Sequence, residues 1–379
     1  MEPLAYETVT DNRALLDDLL RRDAIQMVRG TIFDRAPAPL PARFRFDRVE
    51  GMMLGLAIGD ALGGPSEGRL TGRRAAMFGE IRDYVVGRRA KEPLGYPSDD
   101  TQMAFWTLEQ MNVDRAFRPE RVAARFCRGQ LFGIGQTVAR FRRNMKSGLP
   151  FTECGPASAG NGALMRIAPM VIPHLRTASA HLWSDTALSA MLTHNDSGSI
   201  AACVAFVRML WQSLIRERAP EPRWWLDRYV EVARELETGT TYRPRGGSYQ
   251  GYEGPMWRFV EERVSHALDA ELPIADACNA WYSGAYLLET IPSALLILAR
   301  HGHDPEEAIV RAVNDTKDND TIAAIVGAAA GALHGRAGLP TRWIDKLTGR
   351  TGKDDDGRVF ELLAEARSLW WTDEPPQAR

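Results

Sequence analysis

"VNDTKDNDTIAAIVGAAAGALHG", residues 313–335, sets a polar turn against a helix of Ala, Ile, Val and Gly. Asn314, Asp315, Asp318, Asn319 and Asp320 fill five of the seven positions from 314 to 320. A helix start needs at most one capping side chain, and Asp or Asn serves well. The remaining carboxylates therefore need a reason of their own. The rest of the chain reads as helix after helix, so this junction belongs to an all-α domain whose polar centre sits at helix ends.

The 379 residues carry 47 basic and 49 acidic side chains, a formal net charge of −2. That length supplies one large domain or two ordinary ones, with ample material for a core. Near-neutral charge gives no electrostatic case for nucleic acid or an anionic membrane. Cys127, Cys154, Cys203 and Cys278 lie far apart with no CxxC pair, the pattern of buried reduced thiols. The N-terminus "MEPLAYETVTDNR" lacks the apolar stretch of a signal peptide. No apolar run reaches the roughly 18 to 20 residues that a membrane helix needs. The expected location is cytoplasmic.

Leu15, Leu16, Leu19 and Leu20 share one helical face in residues 1–30, with Gly30 a plausible stop. "APAPLPARF" (36–44) follows, stiff and unable to continue a helix. We expect residues 1–44 to be an appendage, 45–372 the main domain and 373–379 a tail. Helical periodicity recurs in 51–62, 99–111, 200–215, 224–236 and 357–370. "HDPEEAIVRAV" predicts a start at Asp304 with Pro305 in the first turn. "ETIPSALLILARHG" predicts one near Thr290.

Two acidic turns stand out. "PSDDTQMAFWTLEQM" puts Ser98, Asp99, Asp100 and Thr101 before an apolar-striped helix, and "TKDNDT" puts Asp318, Asp320 and Thr321 before the Ala/Gly helix. Such acids serve as caps and helix-dipole charges, worth some tenths of a kcal/mol each. Alternatively, in an irregular loop, alternate carboxylates converge on one cation. Carboxylate and hydroxyl oxygens suit Mg²⁺, Mn²⁺ or Ca²⁺ and argue against zinc. Glu67 lies on a Gly/Pro loop that can carry a carboxylate into a cleft, or simply be solvated. "GIGQTVARF" (133–141) and "GNGALMRIAPM" (160–170) place paired glycines before helical patterns. These are either tight turns or backbone cradles for an anion. His194 and Asp196 open another small-residue helix, as contacts or as caps.

"GLAIGDALG", "SDDT", "GIGQT", "GNGALMR", "THND" and "DNDT", in that order, resemble the ADP-ribosylglycohydrolase family over roughly residues 46–340. The resemblance implies a single large multi-helix domain with two Mg²⁺ ions (or Mn²⁺) in a cleft between helix ends. It implies Ser98, Asp99, Asp100, Asp318, Asp320 and Thr321 as metal ligands. Glu67, matching the family's mobile acid, and Asp320 would be catalytic, while Gly133, Gly135, Asn161, Gly162 and His194 would bind substrate. Where the family commonly has Gly-Gly before this last motif, the chain has Thr316 and Lys317, and a lysine there suits a phosphate.

The implied reaction removes ADP-ribose from a modified protein side chain at an N- or O-glycosidic bond. Members of the family include immunity proteins paired with ADP-ribosylating toxins, so a cognate ADP-ribosyltransferase is a partner to test. The appendage would then dock on it; otherwise its helix packs on the protein's own core. Two rival classes stay open: a non-catalytic binder that occludes such an enzyme, and a structural protein reusing the fold, as some lens crystallins do.

Overall fold

Wherever apolar residues recur at helical spacing, the chain winds into a helix. The computed structural model describes residues 11–86 and 92–371; the first ten residues and the whole of the expected tail, 373–379, lie outside that range. In chain order the α-helices are α1 (Asn12–Arg21), α2 (Asp47–Gly63), α3 (Thr71–Phe78), α4 (Asp99–Asp114), α5 (Pro119–Cys127), α6 (Gln136–Lys146), α7 (His181–Met191) and α8 (Ser197–Leu214). There follow α9 (Arg223–Leu236), α10 (Met256–Asp269), α11 (Ile274–Ala280), α12 (Leu287–His301), α13 (Pro305–Asp315), α14 (Asn319–His334), α15 (Thr341–Ile344) and α16 (Arg358–Trp370). Among the described residues, β-pairing is limited to three isolated bridges. The fold is all-α.

Glycines decide how the two innermost helices meet. Nearly every residue of α2 and α14 is buried, as expected of helices with no polar face. Along α2, Gly51, Gly55, Gly59 and Gly63 recur every four residues and form one stripe. They face Gly331, Gly327, Ala323 and Asp320 of α14, an antiparallel register. A Cβ on Gly55 would overlap the Gly327 carbonyl, and one on Gly327 would overlap the Gly55 carbonyl. Backbone lies against backbone, as small residues at four-residue spacing permit. The C-terminal end of α2 is thereby held against the N-terminal end of α14, beside the acidic turn.

Asp304 accepts a hydrogen bond from the Glu307 N–H at 3.0 Å, capping α13 as its sequence predicts. Two local expectations need correction. α12 begins at Leu287, not near Thr290, so Pro292 is inside the helix, where it leaves the Leu288 carbonyl without its helical donor. The segment after Gly162 is not α-helical but a pair of 3₁₀ turns, Leu164–Arg166 and Ala168–His174, in keeping with Pro169 and Pro173.

The N-terminal segment is stitched down along its described length. α1 ends at Arg21, well before Gly30, and buries Leu16 and Leu19 against the core. Beyond it, Val28 N–H donates to Leu236 O at 2.9 Å. Indole N–H groups of Trp183 and Trp211 donate to Arg35 O and Ala38 O, each at 2.8 Å. The prolines do not leave α1 free.

Candidate functional site

Asp60 arrives on α2, fully buried within the apolar stretch 51–63. Its carboxylate accepts the Ser98 N–H on both oxygens, at 3.0 and 2.9 Å. It also accepts the Thr101 N–H at 3.0 Å and the Thr101 hydroxyl at 2.5 Å. An N-terminal turn presents unpaired N–H groups and partial positive charge, so one buried carboxylate fixes the whole SDDT turn. Sequence reasoning did not assign Asp60; its signal was an acid interrupting the apolar run 51–63.

The two acidic turns converge. Carboxylate oxygens of Asp60, Asp100 and Asp320 lie within 4.8 Å of one another, as do those of Glu67, Asp318 and Asp320. Thr321 hydrogen-bonds Asp100 through its side chain. Ser98 caps α4, its hydroxyl accepting the Asp100 N–H at 3.3 Å and donating to Asp100 Oδ2 at 3.2 Å. Asp99 stands apart from both trios. It lines the same cleft as Glu67 and Asp320, whose volume is ≈ 670 Å³. Gly133 presses against the Asp99 carboxylate, where a Cβ would overlap Oδ1.

Burial raises every one of these acids above the ordinary carboxylate range. Asp60 is pushed up to about 6 by burial, opposed by its four hydrogen bonds. Asp318 is pushed up to about 7 by burial, opposed by the Asn161 amide at 2.6 Å and raised again by Glu67. Asp100 and Asp320 are also raised well above the ordinary range, first by burial and then by neighbouring acids: Asp60, Asp99 and Asp318 act on Asp100, and Asp318, Asp100 and Glu67 on Asp320. Glu67, at the rim, is raised by partial burial and Asp99, offset in part by a hydrogen bond with Asp320. The inner oxygen of Asp100, Oδ1, is buried with no hydrogen-bond partner. An orphaned carboxylate oxygen among like charges is what a bound cation would satisfy. The donors are all oxygen, so the residues present fit hard divalent metal ions.

The expected substrate contacts are placed differently. Asn161 spends its amide on Asp318 and on the Thr290 hydroxyl at 3.0 Å, so it orients a carboxylate. His194 is buried behind the 160–162 turn; a Cβ on Gly162 would stand 2.8 Å from its Cε1. Burial and then Arg166 push the imidazole down to about 3, so it stays neutral. Its Nδ1 pairs with the Thr193 hydroxyl at 2.9 Å. Gly162 is required by that ring, and Gly133 by Asp99. Gly135 precedes α6 in open space.

A second lobe of ≈ 410 Å³ lies beside Asp318 and includes Lys317, Arg245 and Tyr282. Lys317 Nζ sits 3.7 Å over the Tyr282 ring and contacts its hydroxyl. Arg245 makes a bidentate pair with buried Glu289, at 3.1 and 2.9 Å. Tyr282 and Ser283 hold positive φ, 78° and 40°, a strained backbone for side-chain-bearing residues and a frequent mark of working sites. Ser283 O accepts the Asp318 N–H at 2.9 Å, and its hydroxyl accepts the Lys317 N–H at 3.1 Å.

An all-α frame carrying a buried, oxygen-only carboxylate cluster at helix ends defines a hydrolase of the metal-dependent kind. The chain belongs to the ADP-ribosylglycohydrolase family, whose profile matches residues 41–373; its members hydrolyse glycosidic bonds to ADP-ribose. Among its relatives, the ADP-ribosyl-[dinitrogen reductase] glycohydrolase of Rhodospirillum rubrum is 27% identical, covering 84% of this chain and 97% of that one. ADP-ribosylhydrolase ARH3 of Xenopus tropicalis is 26% identical, over 83% and 95% respectively. ADP-ribosylarginine hydrolase Tri1 of Pseudomonas putida is 28% identical, over 79% and 74%. A solved structure titled ADP-ribosylglycohydrolase-related protein complex superimposes with a TM-score of 0.63 at 28% identity, covering 86% of this chain and 98% of that one.

Proposed function

We propose that this chain removes ADP-ribose from modified arginine side chains of a protein substrate, with Mg²⁺ or Mn²⁺ held by Asp100, Asp318 and Asp320. One observation carries it: two acidic turns distant in sequence meet around an orphaned, buried carboxylate oxygen. Asp60 and Asn161 hold these ligands in place, and Thr321 braces Asp100. Divalent ions bound there would orient the ribose hydroxyls and polarise a water.

The protein's own groups supply the rest. The breaking bond leaves positive charge on the sugar, which the surrounding carboxylates stabilise. Glu67 stands at the rim within reach of Asp320, and its raised proton affinity suits it to protonate the leaving nitrogen and then deprotonate water. The lobe with Lys317 and Arg245 suits the diphosphate, since both are cations beside the ribose position. The lobe with Glu67 and Asp99 suits a guanidinium-bearing acceptor, and Arg350 there is occupied over Phe132 at 4.0 Å and Tyr96 at 5.3 Å. The names of the Rhodospirillum and Pseudomonas relatives agree with a protein-linked ADP-ribose and, for the second, an arginine linkage.

Release of free ADP-ribose from defined arginine- and serine-linked proteins, with Mg²⁺ and with EDTA, tests the proposal. Turnover of the arginine linkage only when metal is present supports it. Full activity in EDTA, or no release from either substrate, defeats it.

A further inference from the structure

Arg74, on α3, is fully buried, and among the described residues no carboxylate hydrogen-bonds to its guanidinium, Asp315 and Asp320 acting on it only at a distance. A guanidinium has five N–H donors in a rigid fork, and all five are used. Nε–H donates to Ser66 Oγ at 3.0 Å. Nη1 donates to Asn314 O at 3.0 Å and Thr316 O at 2.6 Å. Nη2 donates to Arg69 O at 3.0 Å and Lys317 O at 3.5 Å. Two acceptors belong to the loop that carries Glu67, and three to the turn that leads into Asp318.

Other bonds close the same seam. Gly68 N–H donates to Lys317 O at 3.1 Å. The Asn319 amide reaches Ser66 Oγ at 2.8 Å and Gly63 O at 3.2 Å. Gly68 itself sits at φ 72°, so the chain turns sharply just after Glu67 in a conformation glycine adopts without strain. The sequence suggested an acid on a movable loop; the structure ties that loop on both sides of Glu67.

Burying a cation without a direct counter-ion is unfavourable. An apolar side chain would avoid that penalty and pack α3 as well. What only the guanidinium provides is simultaneous anchorage of two loops. We infer that Arg74 is a positioning residue: it fixes the Glu67 loop to the Asp318–Asp320 turn and so sets where the proton-carrying acid stands relative to the ribose site. This rests on the assignment of Glu67 to proton transfer.

Arg74→Lys keeps the charge but offers at most three donors, and Arg74→Met removes the charge while keeping an unbranched side chain. Amide hydrogen exchange without substrate is the first readout. The Glu67–Arg69 amides should exchange at least about tenfold faster in Arg74→Lys, with α2 and α14 protection unchanged, as for local opening. In ADP-ribose release, kcat should fall roughly tenfold to hundredfold with KM within about threefold, the size of effect that a misplacement near 1 Å produces. Ser66→Ala removes one acceptor and should move both readouts the same way by less, even if the Arg74 variants fold poorly. Faster exchange spread evenly over all helices, with wild-type kcat per folded molecule, would reduce Arg74 to a general staple and overturn the inference. So would a protected Gly68 amide with unchanged kcat in Arg74→Lys. If wild-type protein releases no ADP-ribose, the functional proposal fails, and the exchange experiment still decides whether Arg74 holds the loop.

Discussion

Replacing Asp318 by Asn should stabilise the metal-free protein at neutral pH and abolish part of its response to metal. The folded value of Asp318, about 7, stands above the ordinary 3.8. A group raised on folding contributes its full stability below the unfolded value and loses it as pH rises through the folded one. The metal-free fold is therefore penalised increasingly between about pH 4 and pH 7. Moving Asp318 from 3.8 to about 7 corresponds to about 4 kcal/mol, an upper bound, since Asn keeps a polar group in place. Unfolding entropy near 2.1 cal/mol/K per residue gives ~0.8 kcal/mol/K for a chain of this size. The Asp318→Asn variant without metal should then melt up to ~5 °C above wild type at pH 7.5 and at an equal temperature at pH 4. In wild type, a divalent ion at 100 times its Kd adds about 2.7 kcal/mol per site, or ~3 °C. Thermal melts in EDTA and in MgCl₂, at both pH values, read all of this. A destabilised Asp318→Asn in EDTA at pH 7.5, or a magnesium shift equal to that of wild type, would refute the charge-repulsion account.

Three further outcomes follow from the site. Glu67→Gln should lower kcat by roughly 10²- to 10⁴-fold, as loss of a general acid–base does, while the magnesium-induced melting shift survives; near-wild-type turnover would reassign the proton carrier. Gly133→Ala should lower kcat with little change in Tm, because its Cβ displaces the Asp99 carboxylate; a variant with normal turnover would show Asp99 to be a bystander. Deleting residues 1–40 removes buried Leu16 and Leu19, each worth about 1.5–3 kcal/mol, so Tm and activity should fall together; unchanged melting would restore the separable docking arm.

Much of the fold was legible because helix signals are local. Asp304 with Pro305 announces α13 through N–H groups a few residues away, and the boundaries expected at 99, 224 and 357 lie within a few residues of those found. Pro292 misled because a proline marks a helix start only when the packing beyond it does not extend the helix. The Asp318–Asp320 turn could be singled out from its surplus of acids, and its partner at Asp99–Asp100 by the same reasoning. Their meeting could not be read from either. It depends on the glycine stripe of α2 lying against α14, a backbone contact between segments far apart in the chain.

The framing roles that local reading missed share one property: the partners are main-chain atoms, hydroxyls and acids from elsewhere in the fold. Asp60 grips N–H groups of the α4 start, Asn161 grips Asp318, and Arg74 grips carbonyls on two loops. A carboxylate cluster repels itself, so left to solvent these turns would spread apart. Side chains whose hydrogen bonds reach into the turns hold them together against that repulsion, whether or not a cation is bound. The ligands themselves are a short pattern of acids and hydroxyls; the frame that makes them a site is distributed over α2, α3, α4, α12 and α14. Substitution of a framing residue should therefore resemble loss of a ligand in turnover while leaving the ligand set intact, and this is why Arg74 and Asp60 are as informative to mutate as Asp320.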